Sequence, residues 1–285
     1  MLNIRTVWLL IVVLLAAPVP ALADTFEAWQ AYYKGDFAKA EQLAKPEAEQ
    51  GDSDAQYLMG LLNTEGDTGP RDDAAAAVWY RKSAEQGNLD AEDSLGYAYD
   101  FGLGVPKDKA QARLWYDKAA TKGTINARNN IAYDWAQSGE RLDDALAYAK
   151  EAVAADPKSA PYQDTLGWIL YRQKRFADAL PPLCRAASLW PEAPEIRSHL
   201  GDALWHVGLD GPARHQWQEA MDLAQNPAAL NQESQDFLQA EGVQTFQSAM
   251  KRKLEGGPGD GPLPDPSQLP PLSPDALEDC KFSTS

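Results

Sequence analysis

One 36-residue unit occurs twice in succession between residues 53 and 124, and this repeat limits the fold more than any other feature of the sequence. When residues 53–88 are aligned with residues 89–124, glycine, proline, alanine, aromatic and acidic positions coincide. The coincident pairs are Asp54/Asp90, Ala55/Ala91, Gly60/Gly96, Gly66/Gly102, Pro70/Pro106, Asp72/Asp108, Ala74/Ala110, Ala76/Ala112, Trp79/Trp115, Tyr80/Tyr116, Lys82/Lys118, Ala84/Ala120 and Gly87/Gly123. A fixed period of this length indicates stacked repeats, because one helical hairpin cannot bury its own apolar face and neighbours must cover it.

Each copy contains an Ala-rich helical segment, an elbow with Gly and Pro, a second helical segment with Trp-Tyr, and a closing Gly. The second copy carries the fuller pattern: Ala91, Gly96, Tyr99, Gly102, Gly104, Val105, Asp108, Ala110, Trp115, Tyr116, Ala119, Ala120 and Gly123. This pattern resembles the Sel1-like repeat, a relative of the tetratricopeptide repeat. The first copy departs from it in the elbow, where Asn63 replaces the tyrosine, so we expect that loop to be reshaped. The resemblance implies an all-α fold, a right-handed solenoid of stacked helical hairpins.

After residue 124 the period tightens towards 34, and the pattern resembles ordinary tetratricopeptide repeats. The chain then divides into a signal peptide (1–23), an incomplete helical hairpin (24–52), two Sel1-like repeats (53–124), three tetratricopeptide-like repeats (125–227), a capping helix (228–255) and a Pro/Gly-rich disordered tail (256–285). We expect Pro46 to kink or restart the return helix of the first hairpin, because proline removes a backbone donor. Gly167 and Gly201 are expected where two helices cross closely, with Trp217 filling a larger gap.

The first 23 residues have the layout of an export signal. Arg5 is followed by an apolar run over residues 7–17 and by the small-residue site Ala21-Leu22-Ala23. That run is shorter than the ~20 residues of a membrane-spanning helix, although an uncleaved anchor remains the alternative. We therefore expect cleavage after Ala23 and a periplasmic chain without an integral membrane segment.

Composition and motifs bear on the class of function. The formal net charge of −16 argues against nucleic acid and against anionic membrane surfaces, since both attract basic patches. The sequence contains no Gly-x-Ser-x-Gly, no His-Glu-x-x-His and no phosphate-binding loop. The Gly-x-Gly at Gly102–Gly104 belongs to a repeat elbow and follows a helix rather than a strand, so it is not a nucleotide-binding motif. We expect a protein that is not an enzyme and needs no cofactor.

Cysteines and histidines are the remaining candidates for special chemistry. Cys184 and Cys280 could form a disulfide that pins the tail across the last repeats, or could remain two separate thiols. His199 and His206 lie two helical turns apart, roughly 10 Å, which is too far for both to bind one ion comfortably. We expect no metal site.

The resemblance to tetratricopeptide repeats implies that the first helix of each hairpin lines a concave groove. The groove residues predicted on that basis are Asn129, Tyr133, Gln137, Asp164, Trp168, Tyr171, Arg172, Ser198, Asp202, Trp205 and His206. Trp168 and Arg172, one turn apart, are side-chain types that often dominate interface energy. The alternative is that Trp168 and Trp205 pack between neighbouring helices. The set lacks the lysine–asparagine pattern that clamps a C-terminal carboxylate, so we expect an internal segment of the partner to bind.

These observations predict a periplasmic scaffold or adaptor that holds a peptide segment or helix of a protein partner. The resemblance implies a role in envelope assembly or in secreted-polysaccharide machinery. One alternative is a regulator of a membrane sensor or envelope enzyme, which differs only in what the partner does. The other is a glycan binder that uses exposed tryptophans, or an enzyme.

Overall fold

The computed structural model describes residues 22–65, 68–259, 263, 264 and 280. Within these residues the chain forms fourteen α-helices and no strand. They are α1 (Leu22–Tyr33), α2 (Phe37–Gln50), α3 (Ser53–Glu65), α4 (Asp73–Glu85), α5 (Leu89–Phe101), α6 (Lys109–Thr121), α7 (Ile125–Ser138), α8 (Leu142–Ala155), α9 (Ala160–Arg172), α10 (Phe176–Leu189), α11 (Pro194–His206), α12 (Asp210–Leu223), α13 (Gln232–Glu241) and α14 (Val243–Gly256).

The first twelve helices form six antiparallel hairpins that stack in chain order. Each odd-numbered helix packs against the even-numbered helix that follows it, and each hairpin packs against the next. The buried side chains accordingly form a series of local clusters along the stack rather than one central core. The predicted all-α solenoid is confirmed, and its stability comes from contacts between neighbouring repeats.

Close contacts inside four of the six hairpins depend on glycine in the first helix and a large side chain in the second. A Cβ at Gly96 would lie 2.7 Å from the Tyr116 ring, and one at Gly201 would lie 2.4 Å from Nε1 of Trp217. Any larger residue would therefore push the two helices apart. The Sel1-like units fill this contact with the tyrosine of the repeat, whereas the last hairpin fills it with Trp217, as the sequence predicted.

The acidic residue conserved between the two copies begins the second helix of each Sel1-like unit. The Asp72 carboxylate accepts from the Ala75 backbone N–H at 2.9 Å, and the Asp108 carboxylate accepts from that of Gln111 at 3.1 Å. These contacts satisfy backbone donors that the helix itself leaves unpaired. The second elbow also contacts the preceding unit, because a Cβ at Gly104 (φ +66°) would lie 2.0 Å from the Asp73 carbonyl oxygen.

The structure corrects the prediction at both ends of the solenoid. The N-terminal hairpin is complete, and α2 continues through Pro46 without restarting there. The predicted single capping helix is two helices, because Gly242 adopts φ 80° and separates α13 from α14. Residues 1–21 of the predicted signal peptide, and most of the predicted tail, lie outside the described residues. No helix in the described part of the chain is long and apolar enough to cross a membrane.

Candidate protein-binding groove

The first helices of successive hairpins line one continuous groove. Helices α5, α7, α9 and α11 form its C-terminal part, and α13 crosses over it. Cavities of about 150 Å³ and about 400 Å³ lie between α13 and these helices. A third, of about 710 Å³, lies between the start of α13 and the Sel1-like units. We call the region under α13 the covered part of the groove.

Most of the predicted groove residues line these three cavities. The lining residues among them are Asn129, Tyr133, Gln137, Asp164, Trp168, Ser198 and Asp202. Trp168 lines the groove and also packs between helices, since its ring stacks on Tyr171 at 4.8 Å and on His199 at 4.1 Å between ring centroids. Trp168 therefore lines the cavity and packs between helices at the same time.

Four of the predicted groove residues lie elsewhere. Trp205 is only 4% exposed and packs against Trp217, while Tyr171 and His206 are buried in a ring cluster with Phe176. Arg172 donates to the Gln137 carbonyl oxygen at 2.9 Å and so joins α9 to the end of α7. These side chains therefore point into contacts between helices rather than into the cavities.

A buried polar cluster joins α7, α9 and α11 beneath the groove. The Tyr133 hydroxyl donates to the Glu195 carboxylate, and Nδ1 of His199 lies 3.0 Å from both carboxylate oxygens of Asp164. Burial raises the pKa of Glu195 to about 7, and the Asp164 charge adds to this while His199 and the Tyr133 hydrogen bond oppose it. Burial lowers the pKa of His199, but the charge and hydrogen bond of Asp164 outweigh burial and leave it raised. The cluster therefore favours bound protons near neutral pH.

Three groove residues of the Sel1-like units escaped the sequence prediction. Asp93, Tyr97 and Phe101 line the same cavities. They lie 36 residues before Asn129, Tyr133 and Gln137, so the repeat period would have found them had it been extended backwards. Burial raises the pKa of Asp93 to about 7, and Asp90 adds to this while a hydrogen bond from Asn130 opposes it.

Helix α13 crosses the groove and contacts both α5 and α11. Arg71, in the elbow of the first Sel1-like unit, places Nη2 3.2 Å from the Asp236 carboxylate. Lys107, in the elbow of the second unit, donates to the Ala240 carbonyl oxygen at 3.1 Å. The C-terminal segment therefore bridges the Sel1-like half of the molecule and the last hairpin.

Helix α14 closes the end of the solenoid. It packs along α12, and Nζ of Lys253 lies 2.8 Å from both the Asp202 carboxylate and the Ser198 hydroxyl. The same Asp202 carboxylate accepts from the Trp217 indole N–H at 2.9 Å. Two of the predicted groove residues, Ser198 and Asp202, are thus used to hold α14.

Cys184 and Cys280 are joined by a disulfide in the structure, with 4.7 Å between their Cα atoms. Cys184 is buried in α10, so the bond attaches residue 280 to the second helix of the fifth hairpin. The described part of the chain holds no group of three or more His, Cys, Asp or Glu side chains arranged for a metal ion.

The N-terminal end of the groove is not crossed by α13. A cavity of about 680 Å³ is lined by Trp29, Tyr32 and Tyr33 of α1, by Asp54, Tyr57 and Leu61 of α3, and by Asn88 and Asp90. The Trp29 and Tyr33 rings stack with centroids 5.6 Å apart, and Tyr33 is 78% exposed. We call this aromatic surface the open part of the groove.

Comparison with known proteins agrees with this architecture. The Sel1 repeat family model matches residues 53–88 and 89–124. Residues 53–124 are two Sel1 repeats. No curated protein matches the chain. Among solved structures, the Sel1 repeat protein from Oxalobacter formigenes shares 21% identity at a TM-score of 0.53, covering 76% of this chain and 96% of that one.

A second solved structure is a protective antigen of uropathogenic Escherichia coli strains that displays an SLR fold. It shares 24% identity at a TM-score of 0.54, and the match covers 81% of this chain and 55% of the antigen. This chain therefore spans about half the length of that protein. At these identities both likenesses show the solenoid fold alone.

Proposed function

We propose that this protein is a non-enzymatic periplasmic scaffold that binds a segment of a protein partner in its groove. The observation that carries the proposal is that the covered part of the groove already lodges a helix, α13, through side chains of several repeats. A groove that is wide enough for α13 is wide enough for a helix of another chain. Its mixed lining of rings and charges is typical of surfaces that bind peptides.

The proposed location and pathway rest on the sequence. The signal-peptide layout of residues 1–23 supports export, and we propose a role in envelope assembly or in secreted-polysaccharide machinery. A regulator of a membrane sensor or envelope enzyme is the alternative, and it would use the same groove. The identity of the captured partner separates the two.

Affinity capture from native periplasm tests the proposal. Trp168→Ala and Tyr97→Ala each remove a ring that lines the groove, and each should weaken partner capture by about 1–3 kcal/mol, the usual hot-spot range. Leu114→Ala is the control, because it removes an exposed apolar side chain from α6. A partner retained equally by all four proteins would show that binding does not use the groove.

Arg172 is a poorer probe than its sequence position suggested. A groove residue without a structural role would weaken capture when changed to alanine and leave the melting temperature unchanged. Because Arg172 donates to the Gln137 carbonyl oxygen, its removal should also cost about 1 kcal/mol of folding free energy. The Arg172 variant must therefore be compared with wild type at equal folded fraction.

A second candidate function, glycan binding, is favoured by the open part of the groove. Its stacked and exposed rings form an apolar platform with polar edges, beside Asp54, Asn88 and Asp90, which can offer hydrogen bonds. A thermal-shift screen against cell-wall and polysaccharide fragments tests this function. A fragment that stabilises wild type but not Tyr33→Ala supports it, and an absence of shifts across the screen rejects it.

A further inference from the structure

Helix α13 is placed over the groove as a ligand would be, whereas α14 is packed as a terminal cap. α14 lies along α12, but α13 leaves the end of the stack and contacts α5 and α11. Gly242, at φ 80°, separates it from α14, and a short 3-10 turn over Pro227–Ala229 precedes it. α13 is therefore a separate helix of ten residues with a backbone break on either side.

Cations from two successive Sel1 elbows hold α13 in place. Arg71 and Lys107 lie 36 residues apart, and each directly follows the proline of its elbow. Arg71 pairs with Asp236 at 3.2 Å, and Lys107 lies 3.7 Å from Glu241 as well as bonding to a carbonyl oxygen at the end of the helix. A cation at a helix C-terminus also interacts favourably with the helix dipole. The repeat spacing thus places two cations against one helix.

The sequence of α13 matches this pair of cations. The helix carries three acidic residues, Glu233, Asp236 and Glu241, and no basic residue. Its aromatic side chain, Phe237, lines both cavities beneath the helix together with Phe101. An acidic helix with one aromatic side chain towards the groove is therefore the ligand chemistry that the covered part accepts.

The packing of α13 is loose enough for another helix to replace it. Leu238 is fully buried, but cavities of about 150 Å³ and about 400 Å³ remain beneath the helix, so it makes fewer dispersion contacts than a core helix. Helices of ten residues are also shorter than those that persist alone in water. Its hold on the groove therefore depends on Leu238, Phe237 and the two elbow cations.

We propose that α13 occupies the site of the partner, and that the partner presents an acidic helix with an aromatic residue that replaces α13. The partner's carboxylates take the places of Asp236 and Glu241 at Arg71 and Lys107, and its ring takes the place of Phe237. This inference rests on the proposed function, because it specifies the partner of the same groove.

The experiment uses the full chain as host and a labelled peptide of residues 231–242 as probe. In the double variant Asp236→Arg, Glu241→Arg, the host's own α13 is repelled by Arg71 and Lys107. In the wild-type host the tethered α13 competes at high effective concentration. The peptide should bind the double variant at least ten-fold more tightly than wild type, by fluorescence anisotropy. Gln239→Arg, which adds a positive charge at an exposed position of α13, is the control host and should behave as wild type.

Reversing the charges of the elbows sharpens the test and provides a second host. The variant Arg71→Glu, Lys107→Glu should bind a peptide that carries arginine at positions 236 and 241, and should reject the natural peptide. Equal binding of both peptides to all hosts would overturn the inference. So would the absence of peptide binding to every host that is folded, as judged by a circular dichroism spectrum that matches wild type. A stable dimer of either double variant would also overturn it, because α13 would then be exchanged between two copies of this chain.

Capture of the native partner separates this inference from the proposed function. Asp236→Arg, Glu241→Arg should recover more partner than wild type, because the groove is more accessible. Equal recovery together with failed peptide binding would leave the scaffold function standing and overturn the role of α13. Recovery by neither protein would count against the scaffold function itself.

Discussion

The two parts of the groove are built from the same repeat positions but differ in what covers them. In the open part, Tyr33 is exposed and Trp29 is half-buried, and no other helix among the described residues crosses them. In the covered part, equivalent helices are closed by α13, and polar side chains such as Asp164 and His199 are buried. The comparison shows that the position of a residue in a repeat decides which way it points. Its availability to a partner depends on what lies above it.

The largest difference between the two parts should appear when the support of α14 is removed. Lys253→Met leaves the Asp202 carboxylate, which is 94% buried, with the Trp217 indole as its only donor among the described residues. We expect a loss of about 3 kcal/mol in the free energy of unfolding, at the low end for breaking a buried ion pair because Lys253 is partly exposed. Chemical denaturation measures it, with exposed Lys251→Met as the control.

Hydrogen exchange on the same variant localises the effect. Protection should fall in α13 and α14 and remain unchanged in α1 and α2, which pack on each other and on α3. Uniform loss of protection along the chain would contradict the separation of the two parts.

The buried cluster of the covered part should make stability depend on pH. The pKa of Glu195 is raised from 4.5 to about 7, so the unfolded chain releases this proton at lower pH than the folded chain does. The free energy of unfolding should therefore fall as pH rises between about 4.5 and about 7. The raised pKa of His199 extends the same trend above 6.5.

Glu195→Gln removes the Glu195 contribution to this dependence. The slope of unfolding free energy against pH should become shallower by up to about 1.4 kcal/mol per pH unit, the value for one proton. Asp93, whose raised pKa acts in the same direction, stays in place and keeps part of the slope. Denaturation at several pH values measures it, and an unchanged slope would show that Glu195 is ionised throughout that range.

Reduction of the disulfide should have a smaller effect. A long closed loop corresponds to a stabilisation of up to about 4 kcal/mol in principle. Here Cys280 ends a Pro/Gly-rich segment whose composition predicts an extended chain even after folding, so we expect little change in the melting temperature. Peptide mapping without reductant should show the linked pair. A large drop in melting temperature on reduction would mean that the tail packs firmly on the covered part.

Tyr33→Ala should change stability least. The side chain is 78% exposed, so its loss should alter the free energy of unfolding by no more than about 0.5 kcal/mol, the usual range for surface positions. Trp29→Ala, at a half-buried ring of the same surface, is the comparison. A destabilisation by Tyr33→Ala as large as that by Trp29→Ala would show that the platform is structural rather than a binding surface.

The repeat period by itself determined the helices, their pairing and much of the packing inside each hairpin. Gly96 with Tyr116, Gly201 with Trp217 and the aspartate that begins each second helix follow from contacts between residues close in sequence. The same period, applied backwards from Asn129, would also have predicted Asp93, Tyr97 and Phe101. Local contacts recur with the repeat, so the sequence pattern is enough to predict them.

Only the tertiary structure decided where the C-terminal helices go and which groove residues remain accessible. The sequence predicted one capping helix, and Gly242 could have suggested a break, but no periodicity relates Asp236 to Arg71 across 165 residues. The use of Asp202 by Lys253 depends on α14 in the same way, and Gly257, which follows α14, lies against the Trp205 ring. Contacts that do not recur along the chain leave no repeating signal, because they depend on the shape of the whole stack.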